Sequence, residues 1–298
     1  MSAHTRNPRR TGLAAVLFLA TIGTTVAANG VAYSATLLSI LVAHEMGHYV
    51  VARRLGAPAT LPLFIPVPPA WLPLGTLGAV IQMEEPEGSD RRKLLAVGAS
   101  GPIAGFVVAV PAMMLGLALS EPGAPEAAEE LVYFGDSLLS WALQAWVAPP
   151  LAPGMELMAH PVFVAAWAGF LVTALNLLPM GQLDGGHILR AAVPERAGRI
   201  ARGVFWTLVT AGTLGLLVHF SDLISAPLGQ SLAFLRPWLS PGLAVWAGLA
   251  WLMGIEHPPT GGEDVPLRRR DWVLVGASVV ILVLCFMPSP MYVLPSSG

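Results

Sequence analysis

Apolar residues run in long blocks along this chain, and charged residues are confined to the joints between them. The first block extends from about Gly12 to Ala28, the second from Val31 to Arg53–Arg54, the third from Leu94 to Leu119 and the fourth from Val162 to Leu178. After an arginine-bearing stretch come Val204–Phe220, Leu243–Ile255 and Trp272–Met287, the middle one being the shortest. Blocks of roughly 17–25 apolar residues match the length of a bilayer-crossing helix. The pattern therefore predicts an all-α polytopic membrane protein with about six to seven transmembrane helices.

One apolar interval breaks this pattern. Ala57 to Met83 carries Pro58, Pro62, Pro66, Pro68, Pro69 and Pro73, which forbid a long helix. Irregular backbone at membrane depth survives only where protein buries it or where it lines a wet cavity. Within the interval, Gly75 to Gln82 reads as a short strand with small residues on one side, so a small membrane-associated β segment is expected near residues 60–83. Glu121 to Gly154 is the most polar long stretch and reads as an external loop, with Trp141 and Trp146 in its amphipathic middle suited to a membrane interface.

Composition agrees with this pattern. The chain is 55% hydrophobic and 11% charged, whereas soluble domains carry about 25% charged residues. A net charge of -2 and basic residues scattered by loop exclude a nucleic-acid-binding face. The single cysteine, Cys285, can form no internal disulfide. If the chain starts inside, the N-terminal arginines, Arg53–Arg54, Arg91 to Lys93, Arg190 to Arg202 and Arg268 to Arg270 all fall on the cytoplasmic side, and Arg236 alone falls outside. The wealth of Ala, Gly and Pro, with Lys93 as the one lysine, points to a GC-rich bacterial genome and an inner-membrane location.

Candidate chemistry is concentrated in the second block. His44-Glu45-Met46-Gly47-His48 is an HExxH motif, which on a helix stands two imidazoles one turn apart with a carboxylate beside them. That arrangement belongs to zinc hydrolases, with His44 and His48 as ligands and Glu45 as general base. Ionisable residues inside a membrane are costly and mark function. A catalytic zinc takes three protein ligands, so HExxH leaves one to be found. Arg53 follows His48 closely, which places the motif near the cytoplasmic end of its span. Asp184 lies just past the fourth span, on the same side. It is the preferred third ligand, and His187, one helical turn further on, is its rival.

Taken together, HExxH, Gly75-Thr-Leu-Gly-Ala79, Gly101-Pro-Ile-Ala-Gly105 and Asn176-x-x-Pro-x-x-x-Leu-Asp184-Gly resemble the site-2 protease family of intramembrane zinc metalloproteases. The likeness covers roughly Leu37 to Ala191, and the Asn-to-Leu-Asp-Gly string is its most specific part. It implies one Zn2+ per chain on His44, His48 and Asp184, Glu45 as base, Asn176 near the reacting carbonyl, and hydrolysis of a transmembrane helix of a membrane-protein substrate inside the lipid bilayer. His257-Pro258-Pro259 resembles a string found in some members, without an evident role. No PDZ or cystathionine-synthase-type regulatory domain is expected, and the oligomeric state is left open.

The expected organisation is an N-terminal anchor or signal-like segment over residues 1–30, a catalytic membrane core over 31–193 and C-terminal helices over 194–298. A substrate helix must unwind before its carbonyls can be attacked, because they are locked in hydrogen bonds. The strand at Gly75, Thr76, Gly78 and Ala79 is the expected receiver of the unwound segment, by pairing along an open edge. The alternative is a membrane metal or ion transporter that uses the same His, Glu and Asp cluster. Against it, the polar residues gather at one depth, and a transport path would spread them through several.

Overall fold

A computed structural model describes residues 8–81, 90–124, 130–223, 240–258, 261–262 and 264–295. Gln82 at the end of the expected strand, most of the charged loop from Glu84, and Arg236 lie outside the described residues.

The first two apolar blocks form the two halves of α1 (Pro8–Arg54), broken by non-helical backbone at Asn29 and Gly30. Unbroken, its 47 residues would run about 70 Å, more than twice the hydrocarbon thickness of a bilayer. The two halves instead fold back on each other, since the hydroxyls of Thr25 and Ser34 lie 2.7 Å apart, whereas nine residues of straight helix span about 13 Å. At its far end α1 stops in a Schellman-type cap. Gly56 takes φ +82°, and the Ala57 N–H donates to the Ala52 carbonyl at 2.9 Å.

The proline-rich interval forms an antiparallel hairpin of β1 (Leu63–Pro66) and β2 (Thr76–Val80), with Leu63 opposite Val80 and Phe64 opposite Ala79. It is anchored on α1. Phe64 is buried edge-on against Phe18, with ring centroids 5.0 Å apart, and the Tyr33 hydroxyl donates to the Leu74 carbonyl at 3.1 Å.

Next comes α2 (Arg91–Leu119), capped by Asp90, whose carboxylate accepts from the backbone N–H groups of Arg92 and Lys93; such a cap stabilises a helix by about 1 kcal/mol. Outside it lie β3 (Glu121–Gly123), β4 (Glu130–Phe134), α3 (Leu138–Val147) and β5 (Glu156–Met158). The chain then returns through α4 (Pro161–Leu177), short α5 (Asp184–Ala192), α6 (Pro194–Leu223), α7 (Gly242–Leu252), α8 (Arg269–Cys285) and β6 (Met291–Pro295). In the middle sits α2, packed on α1, α4, α5 and α8, while α6 and α7 pair with each other. The buried core follows from these contacts, with Tyr33, Leu37 and Ile40 of α1, Leu95 and Met113 of α2, and Trp167 and Phe170 of α4 almost fully enclosed.

The fold is mostly helical, and among the described residues three helices are long and apolar enough to cross a membrane: Thr11–Arg54, Arg91–Leu119 and Pro194–Phe220. The expectation of a single β segment is corrected. β3 pairs with β5, and β4 with β6, each antiparallel. The β4–β6 pair joins a mid-chain segment to one near the C-terminus, and two short edge strands carry no sign of a partner so far away. The arginine-bearing stretch is helical on both sides of Val193: Arg190 lies in the last turn of α5, and α6 begins at Pro194 and runs into the apolar block without a break.

Candidate metal centre

His44 and His48 stand one turn apart on the buried face of α1, with ring centroids 4.9 Å apart. Asp184 is brought to them from α5. Its carboxylate oxygens lie 3.2 Å from Nε2 of His44 and 3.3 Å from Nε2 of His48, and the two Nε2 atoms are 3.2 Å apart. On its far side, the His48 Nδ1–H donates to the Val97 carbonyl at 2.8 Å. In the neutral ring this leaves Nε2 a bare lone pair aimed at the Asp184 carboxylate, itself an acceptor, and at Nε2 of His44. Buried acceptors that face each other need a shared proton or a cation. All three ligand atoms lie within 4.8 Å of one another, and two imidazoles with one carboxylate suit zinc with a position left open. Glu45, also buried, is within electrostatic reach of His48 and Asp184.

Room for the imidazoles comes from α2. A Cβ on Gly101 would lie 2.0 Å from Nε2 of His48, one on Gly105 would lie 3.2 Å from Cβ of His44, and one on Gly98 would lie 3.0 Å from Cβ of His187. The three glycines fall on one face at spacings of three and four, each opposite a histidine. In return, Gly47 inside HExxH lets α1 approach the Ser100 carbonyl, which its Cβ would meet at 2.5 Å. Gly101 and Gly105 also have the four-residue small-residue spacing that permits close helix contact. Their relation to the ligands is a missed feature, visible in sequence only as a glycine face in a bundle that also holds a histidine pair.

The Asn176-to-Asp184 string closes the site from the other side. Asn176, on the last turn of α4, places Nδ2 3.4 Å from Nε2 of His44. The chain then turns so tightly that a Cβ on Gly185 would meet the Leu177 carbonyl oxygen at 2.1 Å, and one on Gly186 would meet that of Gly181 at 2.2 Å. The two glycines after Asp184 thus let α5 start directly beneath α4. His187, the rival ligand, does not join the cluster. Its Nδ1 lies 2.6 Å from Nε2 of His257, and burial pushes its imidazole down to about 4, so it is neutral at physiological pH. His160 caps α4 by accepting from the Val162 N–H at 3.2 Å.

Gly75, Thr76, Gly78 and Ala79 lie together on or beside β2. Gly75 is held at φ +75° with its Cα against α1, where a Cβ would meet the Thr24 carbonyl oxygen at 2.8 Å. The Thr76 hydroxyl is used inside the hairpin, donating to the Ile65 carbonyl at 2.9 Å and accepting from the Gly78 N–H at 3.0 Å. Any contribution of this segment to a ligand therefore comes from its backbone edge. Its anchoring contacts run to Phe18, Thr24 and Tyr33 of α1.

Residues 32–219 match the sequence profile of Peptidase family M50, nearly two-thirds of the chain. The chain belongs to peptidase family M50. This is the site-2 protease family of zinc metallopeptidases, and the triad is a fitting place for its Zn2+. The chain is also similar to "Probable zinc metalloprotease EGY1, chloroplastic" of Arabidopsis thaliana, 30% identical over 85% of this chain and 42% of the relative. It is similar to "Probable zinc metalloprotease EGY2, chloroplastic" of Oryza sativa subsp. indica, 30% identical over 90% of this chain and 44% of the relative. The EGY1 protein of Oryza sativa subsp. japonica is 32% identical over 83% of this chain and 39% of the relative. The chain thus spans about two-fifths of the length of these M50 relatives. No solved structure matches it.

Proposed function

We propose that this M50 chain is an intramembrane zinc endopeptidase that cuts peptide bonds in or near a transmembrane helix of a membrane-protein substrate. The observation that carries the reading is the convergence of His44, His48 and Asp184 on one buried point, with Glu45 beside it, at the end of a helix apolar enough to cross a membrane. His44, His48 and Asp184 would hold the metal. When bound, Zn2+ supplies a Lewis acid that polarises the scissile carbonyl and eases loss of a proton from water. Glu45 takes that proton as the water oxygen bonds to the carbonyl carbon, and returns it to the amide nitrogen as the C–N bond breaks. Asn176, close to His44, donates its amide hydrogen to the developing oxyanion. Val97 keeps the hydrogen of His48 on Nδ1 throughout, which leaves Nε2 for coordination.

In this reading the two halves of α1, then α2, α4, α6, α7 and α8, make seven crossings. The break at Asn29–Gly30 and the apolar character of α1, α2, α4, α6 and α7 support that count. Residues 31–193 are the catalytic core, 1–30 an anchor and 194–298 a C-terminal helical part. The arginines at 53–54, 91–92 and 190–202 support a cytoplasmic position for the metal site in an inner membrane of bacterial type.

The test is cleavage of a membrane-embedded reporter by the purified chain in liposomes. Chelation is expected to abolish cleavage, and stoichiometric zinc to restore it. Metal flux across the liposome without cleavage would overturn the proposal in favour of transport.

Substrate pairing has its own expected result. β2 belongs to a two-stranded sheet and has one side not used by β1, the kind of edge on which an unwound peptide adds a strand. Proline at Val80 removes a backbone donor from β2. Val80→Pro is expected to lower kcat/KM for the reporter by roughly tenfold, the equivalent of about one hydrogen bond, with zinc content unchanged. Unaltered kcat/KM would rule out pairing at this position.

A further inference from the structure

His257 lies in the string His257-Pro258-Pro259, which the mechanism above leaves without a role. The structure brings it to α5. Its Nε2 is 2.6 Å from Nδ1 of His187, with ring centroids 4.7 Å apart at 74°, and its Nδ1 is 2.6 Å from the carbonyl of Pro258. A carbonyl only accepts, so His257 Nδ1 carries the hydrogen. In the neutral ring Nε2 is then the acceptor, and His187 donates to it from Nδ1.

The same segment grips the turn before α5. The Gly181 N–H donates to the Ile255 carbonyl at 2.9 Å, and a Cβ on Gly181 would lie 1.9 Å from the Gly254 carbonyl oxygen. Glu256 pairs with Arg202 of α6. On the opposite side α5 rests on Gly98 of α2, where an added Cβ would meet both Cβ of His187 and the carbonyl oxygen of Asp184.

Nine residues are too few to form a stable helix alone, and no side-chain cap fixes the first turn of α5, since Leu183 precedes it. Asp184 is the first residue of that turn, and His187 lies one turn on along the same face. Tertiary contacts must therefore set where the Asp184 carboxylate points.

We infer that the His187–His257 hydrogen bond is a positioning bridge, which clamps segment 253–258 onto α5 and holds Asp184 at its ligand position. His187 and His257 act through Asp184 and do not touch the reacting atoms. The inference rests on the reading of His44, His48 and Asp184 as the zinc ligands.

The test measures the zinc affinity of the full chain in detergent, by competition with a chromophoric chelator, alongside thermal unfolding of the zinc-free protein. Outer partners of metal ligands typically contribute 10–100-fold in affinity. His257→Ala is expected to weaken zinc binding by about tenfold with little change in the unfolding temperature. His257→Gln, whose amide oxygen can accept from His187 Nδ1, recovers most of the loss. His187→Ala costs a similar factor, and the double variant is no worse than either single one, as expected of two residues acting through one bond. Zinc affinity in His257→Ala within twofold of the parent, no recovery in His257→Gln, or losses that multiply in the double variant would each overturn the bridge. Asp184→Ala separates this failure from that of the underlying reading. If Asp184→Ala binds zinc as the parent does, the ligand assignment fails. If it loses zinc while the histidine variants do not, the bridge alone fails.

Discussion

Replacement of Glu45 by Gln is expected to leave one zinc per chain in place and to lower the rate of reporter cleavage by roughly three orders of magnitude, within the range for a lost general base. The substitution keeps the size of a side chain buried beside His48 and changes only its proton chemistry. An amide oxygen still accepts a hydrogen bond from water but takes no proton at ordinary pH, so the water stays bound and unactivated. His44 and His48 each keep their geometry, because neither is hydrogen-bonded to Glu45. Zinc analysis and the single-turnover rate on the same preparation check both halves of the result. A Glu45→Gln protein that cleaves at the parent rate would refute the assignment of the base. One that loses zinc would show that Glu45 belongs to the metal shell.

Gly101→Ala is expected to have the other large effect, on the metal. Its new Cβ would stand 2.0, 2.4 and 2.5 Å from Nε2, Cδ2 and Cε1 of His48, far inside van der Waals contact and on the coordinating edge of the ring. The ring cannot simply turn aside, because Val97 holds its other edge. Either His48 leaves the site or α1 and α2 move apart. Overpacking of this kind typically costs 1–3 kcal/mol, and the loss of one of three ligands is expected to weaken zinc binding by at least about a hundredfold, the upper end of what even an outer-shell change does. Gly105→Ala provides a graded comparison, since its closest contact is 3.2 Å, to Cβ of His44. A shift of a few tenths of an ångström relieves it, so its loss should be much smaller. Chelator competition on the two variants gives the order. Parent-like zinc affinity in Gly101→Ala would mean that α2 does not sit where the structure places it.

Much of the site was legible in the sequence because its chemistry is local. The spacing of four between His44 and His48 is one helical turn, which puts both imidazoles on one face whatever surrounds them. The arginines after His48 and the string ending at Asp184 placed the remaining ligand candidates on the same side of the membrane. On that basis Asp184 is preferred to His187, although both sit on one short helix. Their separation came from partners far away in sequence: His44 and His48 of α1 for Asp184, His257 for His187. The glycines of α2 have the spacing of helix-packing residues. What they pack against is the pair of ligating rings, and a one-dimensional pattern carries no information about the face opposite.

The sequence by itself determined that the chain is helical and built for a membrane, that the interval rich in proline cannot be helix, and that HExxH offers two nitrogens and a carboxylate. Each of these follows from composition, period or a local steric rule. Tertiary structure alone decided the pairing of β4 with β6 and the clasp of segment 253–258 on α5. It also brought Asp184, and not His187, to the histidines of HExxH. All of these depend on contacts between residues distant along the chain, whose geometry is set by close packing of whole helices, and no local pattern encodes which helix will be the neighbour.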